Sequence, residues 1–193
     1  MSIETLHTVT EEFASHLSAV TDDDLKRPTP CVGWSVGDLY EHVVEENAKF
    51  GHAVSGRPVP QGATVGGGGL EDVYRESARY MEQAFAANEN PERLREVAGV
   101  PGARRVVELL MMQIADTVIH TWDLTQGLGL EYEPRPETAA LVLRLMQMVP
   151  DEARGEGKAF RDIPATADSG AEQLSTLDRL LLLSGRDLNW RSS

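Results

Sequence analysis

The amino-acid sequence predicts an all-α fold, a four-helix bundle with short additional helices. Three observations predict it. Apolar residues recur every three or four positions in four long stretches, the pattern of a helix with one buried face. Capping residues, glycines and prolines bound those stretches. The regularly spaced β-branched runs that a parallel α/β sheet needs are missing.

The elements follow in order. Leu6, Val9, Phe13, Leu17 and Val20 predict a first helix over 3–20, and the loop TDDDLKRPTPCVGW follows it with two prolines and a glycine. Ser35, with Asp38 three residues on, has the spacing of a capping box for a second helix over 36–54. SGRPVPQGATVGGGG, residues 55–69, reads as a mobile surface loop or lid. Its glycine run is no phosphate loop, because no Gly-Lys-Ser/Thr follows and no apolar strand precedes it. A third helix over 70–87 turns Val73, Tyr80, Met81 and Phe85 inward, and 94–102 reads as a strand or turn. A fourth helix spans 104–127, between Gly102 and Gly127. A fifth covers 136–149 with Pro136 in its first turn, and a last one 171–183 after a Gly-, Asp- and Pro-rich segment. The 193 residues read as one domain, 1–193.

Composition narrows the function classes. With 31 acids against 18 bases and a net charge of −13, the chain lacks the basic footprint of a nucleic-acid binder. No stretch approaches the ~20 apolar residues of a membrane span, and LLLL at 180–183 is far too short. MSIETLHTVT carries no basic n-region and no apolar core, so it is not read as a secretory signal. A single cysteine, Cys31, rules out an internal disulfide and suits a cytoplasmic protein. Met146 and Met148 read as exposed, and such bundles often pair as a homodimer.

The fourth helix carries the chemistry. Val106, Val107, Leu109, Leu110, Met111, Met112, Ile114, Val118, Ile119 and Trp122 make it apolar nearly all round, so it should be buried on most sides. One narrow stripe on it is polar: Gln113, Asp116 and His120 at spacings of three and four share a face. Burying an ionised carboxylate costs several kcal/mol unless it is paired or metal-bound. Asp116 and His120, at i and i+4, present their donors to a common point. His42, flanking the stripe of Leu39, Val43, Asn47 and Phe50 on the second helix, is the candidate third ligand. Two imidazoles and a carboxylate leave open coordination positions, as reactive metal sites do. The same spacing also fits a plain Asp–His salt bridge or a satisfied core histidine.

Other residues are weighed beside the trio. Glu46, four after His42, offers a rival pair with it but reads first as a solvated acid, His52 reads as exposed, and His7 and His16 as surface residues. Cys31 is a candidate nucleophile, but it reads first as an inert loop cysteine, since no histidine is fixed beside it in sequence. Trp34 reads as a packing anchor. Asp123, three after His120, is either an acceptor that orients the imidazole or a surface aspartate. Arg104 and Arg105 fall at the far end of the helix, leaving Arg75, Arg79 or Arg144 to be brought inward by the fold.

RPTPCVGWSVGDLYEHVVEEN at 27–47, IADTVIHTWDLTQGLG at 114–129 and LDRLLLLSGRDLNW at 177–190 resemble the single-domain relatives of mycothiol-dependent maleylpyruvate isomerase. The resemblance implies a DinB-like metal-binding bundle over 1–193, in which one histidine of the second helix joins an acid and a histidine of a later helix. Matched motif by motif, those ligands are His42, Asp116 and His120, the acid typically being glutamate where this chain has Asp116. The resemblance further implies one divalent metal ion, zinc first with nickel or manganese as alternatives, and mycothiol or a similar low-molecular-weight thiol. Two function classes follow. One is a metal- and thiol-dependent transferase or isomerase acting on a small electrophile, with 55–69 and 151–170 covering the substrate. The other is a non-catalytic metal- or ligand-binding regulatory module.

Overall fold

The computed structural model describes residues 2–64, 69–155, 158, 160–163 and 174–191. Among them six α-helices carry the fold: α1 Ile3–Leu17, α2 Val36–Ser55, α3 Leu70–Ala86, α4 Val106–Leu128, α5 Pro136–Gln147 and α6 Thr176–Leu183. Two residues on each side, Leu94–Arg95 (β1) and Arg104–Arg105 (β2), pair as an antiparallel ladder between α3 and α4. The architecture is the all-α helical bundle that the periodicity predicts. The C-terminal helix begins at Thr176; residues 171–173 of its predicted range lie outside the described residues.

Local sequence explains the helix ends. Ser35 and Asp38 exchange hydrogen bonds in a capping box that opens α2, and Gly56 closes it in the left-handed region. α4 departs from expectation at both ends. Arg104 and Arg105 are not its first turn but the strand β2, held by pairing with Arg95 and Leu94, and Arg105 caps the helix through Glu108. At the other end Gly129, with φ +73°, is the cap. Gly127 lies inside the helix. Its missing side chain admits the preceding loop: a Cβ there would stand 3.0 Å from Val36 Cγ2 and 3.2 Å from the Pro28 carbonyl.

α1 and α2 each pack against both α3 and α4, so they occupy opposite corners of a square bundle. α5 and α6 pack on each other, and α5 rests on α4. Leu6, Val9, Phe50, Met81, Leu109, Ile114 and Leu180 fill one part of the core. Phe13, Val36, Leu39, Val43, Tyr74 and Leu124 fill the other, where the Phe13 and Tyr74 rings stack 4.6 Å apart. Every residue of α4 from Gln113 to Thr125 is buried except Asp116, which is half-buried. Met112, on the first half of the helix, is exposed. Met146 also departs from expectation: it is buried against α6 and the core, leaving Met148 alone of that pair exposed.

Candidate metal centre

The trio meets on the seam between α2 and α4. These two helices run antiparallel, since Val36 packs at Gly127 while Asn47, further along α2, bonds Gln113, earlier on α4. Between those two contacts, His42 faces Asp116 and His120. One ligand atom from each of the three lies within 4.8 Å of the others. The two imidazole centroids are 5.0 Å apart, nearly edge to face, and His120 Nε2 lies 3.4 Å from Asp116 Oδ1. The second oxygen, Asp116 Oδ2, is shut off from water and has no hydrogen-bond partner. A buried carboxylate oxygen without a donor is costly, and a cation between the three side chains would satisfy it. Two nitrogen donors and one carboxylate fit a divalent ion of the zinc type.

Electrostatics point the same way. Burial pushes the His42 pKa down to about 4, leaving the ring neutral with a free lone pair at ordinary pH. For His120, burial works against the charge, yet Asp116 and the bonds to Asp123 and Cys31 outweigh it and hold proton affinity well above the usual histidine value. Burial likewise works against an ionised Asp116, and His120 and His42 outweigh it, keeping the carboxyl below its ordinary pKa. Carboxylates that draw a proton onto His120 draw a metal cation by the same force.

Behind His120 stands a second cluster. Asp123, fully buried, lies with Oδ2 3.0 Å from His120 Nδ1, so the aspartate that sequence spacing left open is the acceptor that orients the ring. Arg186, just beyond α6, grips the same carboxylate through Nε at 3.2 Å and Nη2 at 2.7 Å. Burial opposes an ionised Asp123, but the guanidinium holds it well below the usual carboxylate range. Cys31 is not an isolated loop thiol: it donates to Asp123 Oδ2 at 3.2 Å, and its sulfur lies 4.0 Å from His120 Nδ1. The fold supplies the histidine that sequence proximity did not. Cys31, His120 and Asp123 form a second group whose atoms could hold a metal. Trp34 roofs both, its ring 4.8 Å from His42 and 6.3 Å from His120, so it is a wall of the site as well as a packing anchor.

Several other expectations change. Glu46 is not a solvated acid. It sits one turn past His42 on the same face, half-buried, paired with Lys49, and burial raises its pKa. His16 is half-buried with its ring edge-on to Tyr132, whereas His7 and His52 are exposed as expected. None of the three candidate arginines turns inward: Arg75 is held by Glu11 and Glu71, Arg79 by Glu76, and Arg144 is exposed. Arg186 takes that place, and sequence reasoning missed it. The available signal was Gly185 directly after the leucine run, since a left-handed glycine at a helix end turns the following residue back. Of the two covering segments, 65–68, 156, 157, 159 and 164–170 lie outside the described residues. The described Arg154 is tied to the Leu183 and Met146 carbonyls, away from the trio.

Residues 6–125 match the family model described as the mycothiol maleylpyruvate isomerase N-terminal domain. The chain belongs to that family. An uncharacterized protein of Mycobacterium tuberculosis, in strains CDC 1551 / Oshkosh and ATCC 25618 / H37Rv, is 30% identical over 154 residues, covering 79% of this chain and 81% of its own. Among solved structures, the crystal structure of a histidine-to-alanine mutant of mycothiol-dependent maleylpyruvate isomerase superposes with a TM-score of 0.60. It is 15% identical and covers 82% of this chain and 72% of that one, a likeness of fold. The family match ends just after His120 and Asp123, so α5, α6 and Arg186 lie beyond it. No helix among the described residues is long and apolar enough to cross a membrane.

Proposed function

We propose that this chain binds one divalent metal ion, zinc before nickel or manganese, through His42, Asp116 and His120. On this reading it is a thiol-dependent metalloenzyme of transferase or isomerase type acting on a small electrophile. The observation that carries the metal is the convergence of three ligand atoms within 4.8 Å around an unpartnered, buried Asp116 Oδ2. The thiol, mycothiol or a similar small thiol, comes from the family to which the chain belongs.

A metal held by three protein ligands lowers the pKa of a coordinated thiol and presents it as a nucleophile. The chain's own residues do the rest. His42, neutral through burial, offers a lone pair without first losing a proton. Asp123 fixes the ring of His120 from behind. Trp34 walls one side and limits water. Glu46, half-buried on the face of His42 with its pKa raised by burial, is suited to take a proton from an incoming thiol.

A second reading, a non-catalytic metal- or ligand-binding module, has one observation in its favour. The two cations beside the trio, Arg186 and Lys49, are both committed, to Asp123 and Glu46. Neither is free to grip an anionic substrate.

Elemental analysis of protein purified without chelator or nickel affinity resin tests the metal. Near-stoichiometric metal in the native chain, falling sharply in His42→Ala and Asp116→Ala, is the expected result. No metal, and no stabilisation on adding zinc, nickel or manganese, overturns the reading. Proton release when a thiol is added to metal-loaded protein then separates the enzyme from the module.

A further inference from the structure

Arg186 is placed by the chain with unusual care. α6 ends in a Schellman closure: the Gly185 N–H donates to the Leu182 carbonyl and the Arg186 N–H to the Leu181 carbonyl, both at 2.9 Å. Gly185 has φ +81°, and a Cβ there would stand 2.7 Å from the Cβ of Arg161 and 3.0 Å from its carbonyl oxygen, so the turn admits glycine alone. Ser184, at the cap, is fully buried. The turn reverses the chain and sends the Arg186 side chain, 14% exposed, back onto the fully buried Asp123.

The contacts there form a directed chain. Arg186 Nε and Nη2 meet both oxygens of Asp123, the two-pronged geometry that a guanidinium makes and an ammonium does not. Asp123 Oδ2 then takes the Nδ1–H of His120 at 3.0 Å. With Nδ1–H committed to Asp123, Nε2 is the nitrogen that faces Asp116, and its lone pair is the one a cation takes when it displaces the proton there. Arg186 Nη2 also reaches Cys31 Sγ at 3.4 Å, so the loop before α2, the middle of α4 and the end of α6 meet at one guanidinium.

We propose that Arg186 is a positioning residue of the metal centre, whose two-pronged grip on Asp123 sets the His120 ring with Nε2 toward His42 and Asp116. The inference rests on the metal reading above, and it concerns a residue beyond the family-matched segment. Arg186 touches no reacting atom. It acts through Asp123 alone, which is what makes the inference testable.

The experiment measures zinc affinity of the full chain by competition with a chromogenic chelator, and the His120 Nδ1–H donated to Asp123 in metal-free protein by proton and nitrogen NMR. Arg186→Gln is expected to weaken zinc binding by about 10- to 100-fold, the scale of losing an outer-shell partner, with Arg186→Lys in between. In an Asp123→Asn background Arg186→Gln is expected to change nothing further, since the path runs through that carboxylate. The Nδ1–H resonance is expected downfield and slow to exchange with water in the native chain, and shifted upfield and fast to exchange in Arg186→Gln, a readout that a merely structural role does not move. A folded Arg186→Gln with zinc affinity within about twofold of native and an unchanged Nδ1–H resonance overturns the proposal. So does an effect that adds fully to that of Asp123→Asn. Should Arg186→Gln fail to fold, the Asp123→Asn/Arg186→Gln pair is compared with Asp123→Asn alone: equal affinity supports the proposal and a further loss overturns it. If the native chain binds no zinc, the metal reading fails separately, and the Nδ1–H comparison alone decides the role of Arg186.

Discussion

Gln113 on α4 donates its side-chain amide to the carboxamide oxygen of Asn47 on α2 across 3.0 Å, with both residues out of solvent. Asn47 in turn donates to Ser77 on α3 at 3.1 Å, so one buried side chain links three helices. The clip sits just below the trio and pins the register that sets His42 against His120. Asn47→Ala strands the buried amide of Gln113 and takes one donor from Ser77 Oγ, which still bonds the Tyr74 carbonyl, and is expected to cost about 2–4 kcal/mol in chemical denaturation. Asn47→Leu with Gln113→Leu, which removes both amides, is expected to cost clearly less than the two single changes together.

Two overlapping groups could hold a metal, and Cys31 separates them. It belongs to the cluster with His120 and Asp123 and not to the trio. Cys31→Ala is expected to keep full metal content by elemental analysis and to change stability by less than about 1 kcal/mol, the scale of one net hydrogen bond. A loss of metal in this variant would move the ion to the far side of the His120 ring.

Gly51 marks the closest approach of α2 and α3. A Cβ there would stand 2.6 Å from two atoms of the Tyr80 ring and 3.1 Å from the Met81 backbone. The ring cannot swing away freely, because its hydroxyl donates to the Arg57 carbonyl at 2.7 Å. Overpacking of roughly 1–3 kcal/mol opposes a helix-propensity gain of about 1 kcal/mol. Gly51→Ala is therefore expected to lower thermal stability, with the α2–α3 seam loosened.

Tyr40 gives the fold an alkaline limit. It is buried on α2, its hydroxyl donates to the Leu70 carbonyl at the start of α3, and burial raises its pKa from 10.0 to about 12. The unfolded chain ionises it first. Stability from this group is present below pH 10 and is lost as pH rises from 10 to 12, by an amount on the order of 2–3 kcal/mol. Tyr40→Phe is expected to flatten that limb in denaturation curves taken across the range, at a cost of about 1 kcal/mol near neutrality from the lost bond.

Much of this was legible in the sequence, and for physical reasons. The bundle follows from apolar spacing, the start of α2 from Ser35 and Asp38, and the juxtaposition of Asp116 and His120 on α4 from the i, i+4 rule. His42 could be found because it flanks the stripe that α2 buries. What could not be read depends on chain segments meeting in space. Cys31 gains its neighbours only when the loop before α2 folds over α4, and Arg186 only when the end of α6 turns back. Periodicity reports which face of a helix is buried. It does not report which distant side chain closes over that face, and for Glu46 and His16 it misjudged how much the face covers.

The bond between Asp123 and Arg186 spans 63 residues of chain. A ribosome adding ~5–20 residues per second delivers the guanidinium several seconds after the carboxylate. Throughout that interval the first four helices carry an aspartate whose burial lacks its guanidinium counter-charge, a state that favours hydration over closure. The bundle can form early, yet its site end is sealed late, by the last helix to be made among those described. Synthesis thus leaves a window in which the carboxylate of Asp123 waits without its counter-charge, and the part of the bundle already made is the less stable for it.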